Sequence, residues 1–144
     1  MATITEDYCD FETAKLLKEK GFDVPCNCYG AYNGVNLTYR LCITDKYTNW
    51  NKHTDKFIIS CPTLQMAMKW LREVHNLHIM VNCVGKVNYD PIIQSFDGKD
   101  FEVEGTEVGV TRQINGKWTN VRRGFKNYEQ ACEAAIKYCL KHLI

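Results

Sequence analysis

The sequence predicts an α+β fold in which three helices pack on antiparallel sheet, and three observations lead there. First, a capping residue followed by a large apolar residue, an acid or amide, a spacer and an alanine occurs at Asp10-Phe11-Glu12-Thr13-Ala14, Thr63-Leu64-Gln65-Met66-Ala67 and Asn127-Tyr128-Glu129-Gln130-Ala131. Asp, Thr and Asn side chains accept from the exposed first-turn N–H groups, and Glu12 and Glu129 suit the positive end of the helix dipole. The alanine lies on the face of the large apolar residue, so that face can come close to a sheet or a second helix. Second, Asn33-Gly34, Asp97-Gly98 and Asn115-Gly116 are favoured turn pairs between short strand-forming segments. Third, 144 residues, 45% of them hydrophobic and 24% charged, describe one globular domain over residues 1–144. Such a chain buries roughly two thirds of its unfolded surface and needs no metal or disulfide to hold it.

The first helix is expected over Phe11 to Lys20, with Phe11, Ala14 and Leu17 on one face and Lys15, Lys18 and Glu19 around the other. Gly21 offers a left-handed cap, Phe22 folds back on the last turn, and Pro25 prevents continuation. Cys28 to Tyr32 and Val35 to Ile43 flank the Asn33-Gly34 turn, with Leu37, Tyr39, Leu41 and Ile43 alternating with polar partners. The polar segment Thr44 to Lys56 reads as a loop, and Phe57 to Cys61 as a short strand. The second helix, Leu64 to His75, places Leu64, Ala67, Met68, Leu71 and Val74 on one stripe that Trp70 widens, and Asn76 ends it. His78 to Val84, Tyr89 to Phe96 and Phe101 to Glu104 follow as strands, then Val108 to Ile114 and Lys117 to Arg123 about Asn115-Gly116. The last helix, Tyr128 to Leu143, carries the stripe Ala131, Cys132, Ala135, Ile136, Cys139, Leu140 and Leu143.

The resulting order is α-βββ-α-βββββ-α. Because the second and third helix starts each follow a strand-like segment, two related strand-plus-helix halves are one explanation. The competing explanation is that any helix docking on a sheet converges on a cap, a large apolar residue and an alanine.

A net charge of +1 gives no global attraction to nucleic acid or membrane, so electrostatic recognition must come from a local patch. Met1 to Asp10 has neither a basic region nor an apolar run, and no segment approaches the ~20 apolar residues of a membrane span. A soluble, cytoplasmic protein without disulfides is therefore expected, despite eight cysteines. Cys26-x-Cys28, with Cys9, Cys42, Cys61 and Cys83, lacks the paired CxxC spacing of a zinc site, and Cys26 and Cys28 are expected to diverge. Cys132 and Cys139 fit the buried stripe of the last helix as small apolar residues.

No cofactor, metal ligand or catalytic residue is assigned. His75 and His78 are separated by the helix end at Asn76, no G-x-S-x-G or glycine-rich phosphate loop is present, and Glu102 and Glu104 read as a solvated strand face. The strongest functional signal is the acid-free stretch Gly109 to Asn127. Its candidate binding patch is Arg112, Lys117, Trp118, Asn120, Arg122, Arg123 and Lys126, with Trp118, Asn120 and Arg122 expected on one strand face. Cations beside stacking rings are what a nucleic-acid strand needs. The preferred reading is plainer: a solvated edge hairpin whose charges block edge pairing, with Trp118 buried. Helix, three strands, helix over Asp10 to His75 also matches the element order of a double-stranded RNA-binding domain. Yet Pro62 to Ala67 lacks the lysines with which that family grips phosphates.

At Pro62-Thr63-Leu64-Gln65, Lys69-Trp70-Leu71-Arg72-Glu73, His75, Tyr128-Glu129-Gln130-Ala131 and Ala134-Ala135-Ile136, the chain resembles small uncharacterised proteins of phages, prophages and mobile elements of gut anaerobes. Phe11-Glu12-x-Ala14-Lys15-x-Leu17-Lys18-Glu19-x-Gly21-Phe22 extends the likeness over nearly the whole chain. The resemblance implies a fold and a setting in a bacterial host cytoplasm, but no active-site residue. Together these readings point to a non-enzymatic phage or prophage accessory protein that binds another protein. A nucleic-acid-binding protein using the basic hairpin is the alternative.

Overall fold

In the computed structural model, residues 3–33, 38–83, 88–105 and 108–144 are described, and the side chains of 38, 108–112, 118 and 120–122 lie outside the description. Among the described residues, three α-helices and eight strands follow one another in the expected α-βββ-α-βββββ-α order, and the fold is α+β. The helices are α1 (Phe11–Glu19), α2 (Leu64–His75) and α3 (Tyr128–Tyr138), the last continuing as a π-helical turn, Cys139–Leu143.

Each helix begins as its cap residue dictates. The side chains of Asp10, Thr63 and Asn127 accept from the backbone N–H of Thr13, Met66 and Gln130 at 2.8, 3.1 and 2.8 Å. The alanines of the three repeats, Ala14, Ala67 and Ala131, are completely buried. α1 ends in a full Schellman motif: Phe22 N–H donates to Leu17 C=O at 2.9 Å and Gly21 N–H to Lys18 C=O at 3.1 Å, with Gly21 at φ +87°. α2 stops at Asn76, whose left-handed backbone (φ 55°) closes the helix and admits the next strand. Val74, expected on the buried stripe of α2, is exposed, and Trp70 is buried in its place.

β1 (Cys26–Asn33), β2 (Thr38–Thr48) and β3 (Ile58–Ser60) form one antiparallel sheet in the order β2-β1-β3. β4 (Leu77–Cys83), β5 (Tyr89–Ser95) and β6 (Asp100–Glu102) form a second, in the order β4-β5-β6. The two sheets thus differ in strand order. β7 (Val108–Ile114) and β8 (Lys117–Gly124) pair as a separate hairpin. Its Asn115-Gly116 turn has both residues at positive φ, 51° and 78°, with Ile114 opposite Lys117, the two-residue geometry the dipeptide favours. The hairpin's foot is fastened by reciprocal bonds between Tyr89 and Phe125 (3.0 and 2.9 Å) and by Gly105 N–H to Arg123 C=O at 2.7 Å.

The first hairpin departs from expectation. Asn33, expected to share a two-residue turn with Gly34, is the last residue of β1 and pairs with Thr38, while residues 34–37 lie outside the described residues. Packing outweighs local turn preference here. The register pairs Tyr39 with Tyr32 and lets its ring reach diagonally over Gly30, where an added Cβ would stand 2.0 Å from it. It also lets Tyr39 pack against Phe11 (centroids 4.7 Å apart) and donate its hydroxyl to Cys61 Sγ at 3.1 Å. The expected loop Thr44 to Lys56 is instead partly strand, because β2 runs on to Thr48. Trp50 Nε1 then donates to Cys26 C=O at 2.9 Å, and the Asn51 amide bonds Phe22 C=O at 2.8 Å and accepts from Ser60 N–H at 2.9 Å.

One connected set of buried side chains runs through both sheets and all three helices, from Leu17 and Cys28 through Leu71 to Ile93 and Ile136. α1 packs on β3 and α3, while α2 and α3 pack on each other and on the second sheet. The stripe expected on the last helix is buried apart from half-buried Leu143. Cys26 and Cys28, expected to diverge, share the buried face, since residues two apart on a strand must.

Candidate functional site

The basic hairpin displays Lys117, Arg123 and Lys126 as exposed side chains. Lys117 stands at the Asn115-Gly116 tip and Arg123 near the foot, six residues along the same strand, or roughly 20 Å at ~3.4 Å per residue. These two cations are therefore separated rather than gathered. Arg112 lies opposite Thr119, and Trp118 opposite Gln113. The side chains of Arg112, Trp118, Asn120 and Arg122 are outside the described residues. The backbone bears on one expectation: Thr111 pairs with Asn120 but Val110 with Arg122, so Val121 is an extra residue in the ladder. Counting by twos from Trp118 through Asn120 to Arg122 consequently no longer assigns them a common face.

The buried thiols form a structural network. Cys9, Cys26, Cys28 and Cys61 are all buried, with Cys61 Sγ donating to Cys9 C=O at 3.0 Å and Cys26 Sγ to Cys28 C=O at 3.2 Å. Burial pushes the Cys28 thiol up to about 11 and Cys61 up to about 12, so both stay protonated near neutrality. Burial likewise raises Cys132 to about 11 and Cys139 to about 12. His75, the last residue of α2, packs edge-on against Trp70 with centroids 4.6 Å apart. Burial holds its pKa below the usual histidine value. Among the described residues, no three His, Cys, Asp or Glu side chains are placed to hold a metal ion.

A different cluster joins helices α1 and α3. Glu133 on α3 accepts from Asp10 N–H at 3.0 Å and from the Thr13 hydroxyl at 2.5 Å. Lys137 bridges Asp10 (2.7 Å) and Glu12 (3.1 Å), and Lys141 reaches Glu12 at 2.6 Å. Burial, with the Asp10 carboxylate adding to it, pushes the Glu133 carboxyl up to about 7. Every polar group in this cluster is directed at the α1 N-terminus, so its evident role is docking one helix on another.

A concavity lies between α1 and the β1–β3 side of the first sheet. It is a cleft of about 430 Å³ lined by Phe11, Lys15, Lys18, Glu19, Tyr32, Lys56, Phe57 and Ile59. Phe11, Lys15 and Lys18 project from one side of α1 because they recur at helical spacing. Tyr32 comes from the end of β1, held there by its N–H bond to Phe57 C=O at 2.8 Å. The rings follow one another along the wall: Phe11 stacks on Tyr32 (5.2 Å, 21°), and Tyr32 meets Phe57 at a tilt (6.1 Å, 44°). The ammonium of Lys15 stands 5.6 Å from the Phe11 centroid and that of Lys56 5.1 Å from Phe57. Lys18 Nζ reaches Ile58 C=O at 3.5 Å. The cleft thus carries three lysines against one acid, Glu19.

Sequence reasoning missed this cleft. It assigned Lys15 and Lys18 to a solvated helix face and Lys56 to a loop, and nothing local links residues 11–19 to residues 56–59. The one available signal was Lys15 one helical turn after Phe11, which stacks a cation over a ring. No protein-family model, curated protein or solved structure matches this chain.

Proposed function

We propose that the protein is a small, non-enzymatic accessory protein of phage or prophage origin that acts by binding another protein. The observation that carries the reading is β2, eleven residues long and at the outer edge of its sheet, with Leu41, Ile43 and Tyr47 exposed by 40%, 62% and 66%. An edge strand presents a row of backbone donors and acceptors, and a partner strand added there gains main-chain bonds plus the apolar contacts. Arg40, Asp45 and Lys46 are interspersed along it, enough charge to discourage self-pairing while leaving the apolar side chains accessible. The resemblance of the helix starts to phage and prophage proteins supports the setting. Tagged protein recovered from host cells should carry a reproducible partner by mass spectrometry, and Ile43→Lys should lose it while the fold persists. Repeated recovery of the protein alone would sink the reading.

A second reading has its own support, because among the described residues the β7–β8 hairpin forms a two-stranded sheet of its own above its foot and displays Lys117, Arg123 and Lys126. In that case nucleic-acid affinity depends on Arg112, Lys117, Trp118, Asn120, Arg122, Arg123 and Lys126 and falls steeply with salt. Replacing the cations and Trp118 by alanine should weaken binding and flatten the salt slope; unchanged affinity and slope reject it.

A further inference from the structure

We propose that the cleft between α1 and the first sheet is a binding site for a nucleoside phosphate, with the base on the ring wall and the phosphate held by lysines. Two independent properties of the cleft point to this ligand class. The first is charge. Lys15, Lys18 and Lys56 converge on one concavity, and among the described residues none of them is within ion-pair distance of a carboxylate. Lys137 and Lys141, on the other side of α1, are by contrast consumed by Asp10 and Glu12. Lys15, Lys18 and Lys56 outnumber the single acid lining the cleft, Glu19, so an entering dianion gains a net attraction there.

The second property is the wall itself. Phe11, Tyr32 and Phe57 present consecutive rings, and Phe57 remains 38% exposed. The Lys15 and Lys56 ammonium groups lie over the Phe11 and Phe57 rings, 5.6 and 5.1 Å from their centroids, so cation and ring already stand side by side in the cleft. A planar base placed on Phe57 displaces the Lys56 ammonium from the ring toward the phosphate, where its charge is better matched. At about 430 Å³ the cleft falls within the ~300–1,000 Å³ range of small-molecule sites. A bare phosphate would use the lysines and leave the rings idle. A simple apolar ligand would leave the charges unanswered. The nucleoside phosphate uses both. The same unit occurs free and in single-stranded nucleic acid, where base stacking on aromatic side chains beside a cationic groove is the general binding mode. This site is separate from β2 and from the β7–β8 hairpin.

The test is a titration of isotope-labelled whole protein, followed by amide and aromatic NMR shifts, with thymidine monophosphate, thymidine, inorganic phosphate, hexathymidylate and an acidic peptide. Thymidine monophosphate should produce saturable shifts at Phe11, Lys15, Tyr32 and Phe57, with phosphate or thymidine alone weaker by about tenfold. A Lys15→Glu, Lys56→Glu double variant, both sites being on the surface, should keep its melting temperature and lose about tenfold or more in affinity. Phe57→Ala should lose affinity for the nucleotide but not for phosphate. Tighter per-site binding of hexathymidylate identifies the nucleotide as part of a strand, and equal binding identifies it as free; both outcomes sustain the site. Absence of shifts at these residues, phosphate binding as well as the nucleotide, or preference for the acidic peptide would each overturn it.

Discussion

Glu133 is where a single proton matters most to this fold. Its carboxyl sits near 7 because burial disfavours the charge, whereas an unfolded glutamate titrates near 4.5. Between those values the folded chain holds a proton that the unfolded chain has released. The associated stability is therefore complete below pH 4.5 and is lost as pH rises through about 7. Asp10 runs the other way. Burial raises it, but the Lys137 ammonium and the Thr13 N–H outweigh burial and hold its carboxyl below the ordinary 3.8, so its contribution is present above that value and fades on further acidification. Glu133→Gln keeps an acceptor for Asp10 N–H and Thr13 but removes the titration. Thermal melts from pH 5 to pH 8 should show the Gln variant gaining on the parent as pH rises; a constant gap would contradict the assignment. The thiols give a second expectation at this scale. Exposed Cys83 and half-buried Cys42 should react promptly with a thiol reagent at mildly alkaline pH, and the six buried cysteines only on unfolding. Rapid modification of Cys28 or Cys61 in the folded protein would instead point to a cysteine-based activity.

Elements were legible in this sequence wherever the determinant was local. Asp10, Thr63 and Asn127 cap as their chemistry requires, Gly21 and Phe22 close α1, and Asn115-Gly116 turns the β7–β8 hairpin, because each needs only neighbours within a few residues. Asn33-Gly34 failed for the converse reason: the register there is set by Tyr39 fitting over Gly30 and against Phe11, contacts that no window of sequence contains. The lysine–aromatic cleft was hidden by the same separation. Two glycines make this testable. Gly30→Ala drives a methyl group into the Tyr39 ring, which Phe11 and Cys61 already confine, and should cost about 1–3 kcal/mol in urea unfolding. Gly105 lies against Gly124, with an added Cβ only 1.7 Å from the Gly124 carbonyl oxygen, so Gly105→Ala should loosen the β7–β8 foot. Faster amide exchange at Gly105 and Phe125, with α2 unaffected, is the expected signature. The caps also differ in rank. Asn127→Ala removes one N-cap bond, worth about 1 kcal/mol, whereas Asp10→Ala also severs Lys137 and should cost up to about 1 kcal/mol more.

At the scale of the molecule, the decisive feature is that two sheets of different strand order share one continuous core. Cys28 and Ile59 of the first sheet, Leu77 and Ile93 of the second, and the inner stripes of α1, α2 and α3 belong to the same buried set. The Asp10, Glu12, Lys137 and Lys141 bridges fasten α1 to α3 along one side of it. Neither sheet therefore has a buried face that survives loss of the other, and the alanine-bearing helix starts are three solutions to one packing problem rather than marks of independent units. The expected consequence is a single cooperative unfolding transition. Trp50 reports the first sheet, where it packs on Tyr29 at 4.4 Å, and Trp70 reports α2, where it meets Phe22 at 5.4 Å. In variants whose single remaining tryptophan is Trp50 or Trp70, with Trp118 replaced in both, fluorescence midpoints in urea should coincide with each other and with the loss of helical circular dichroism. Two separated midpoints, with Trp50 released while the helices remain, would mean that the first sheet is held to the rest by the ion pairs more than by the core.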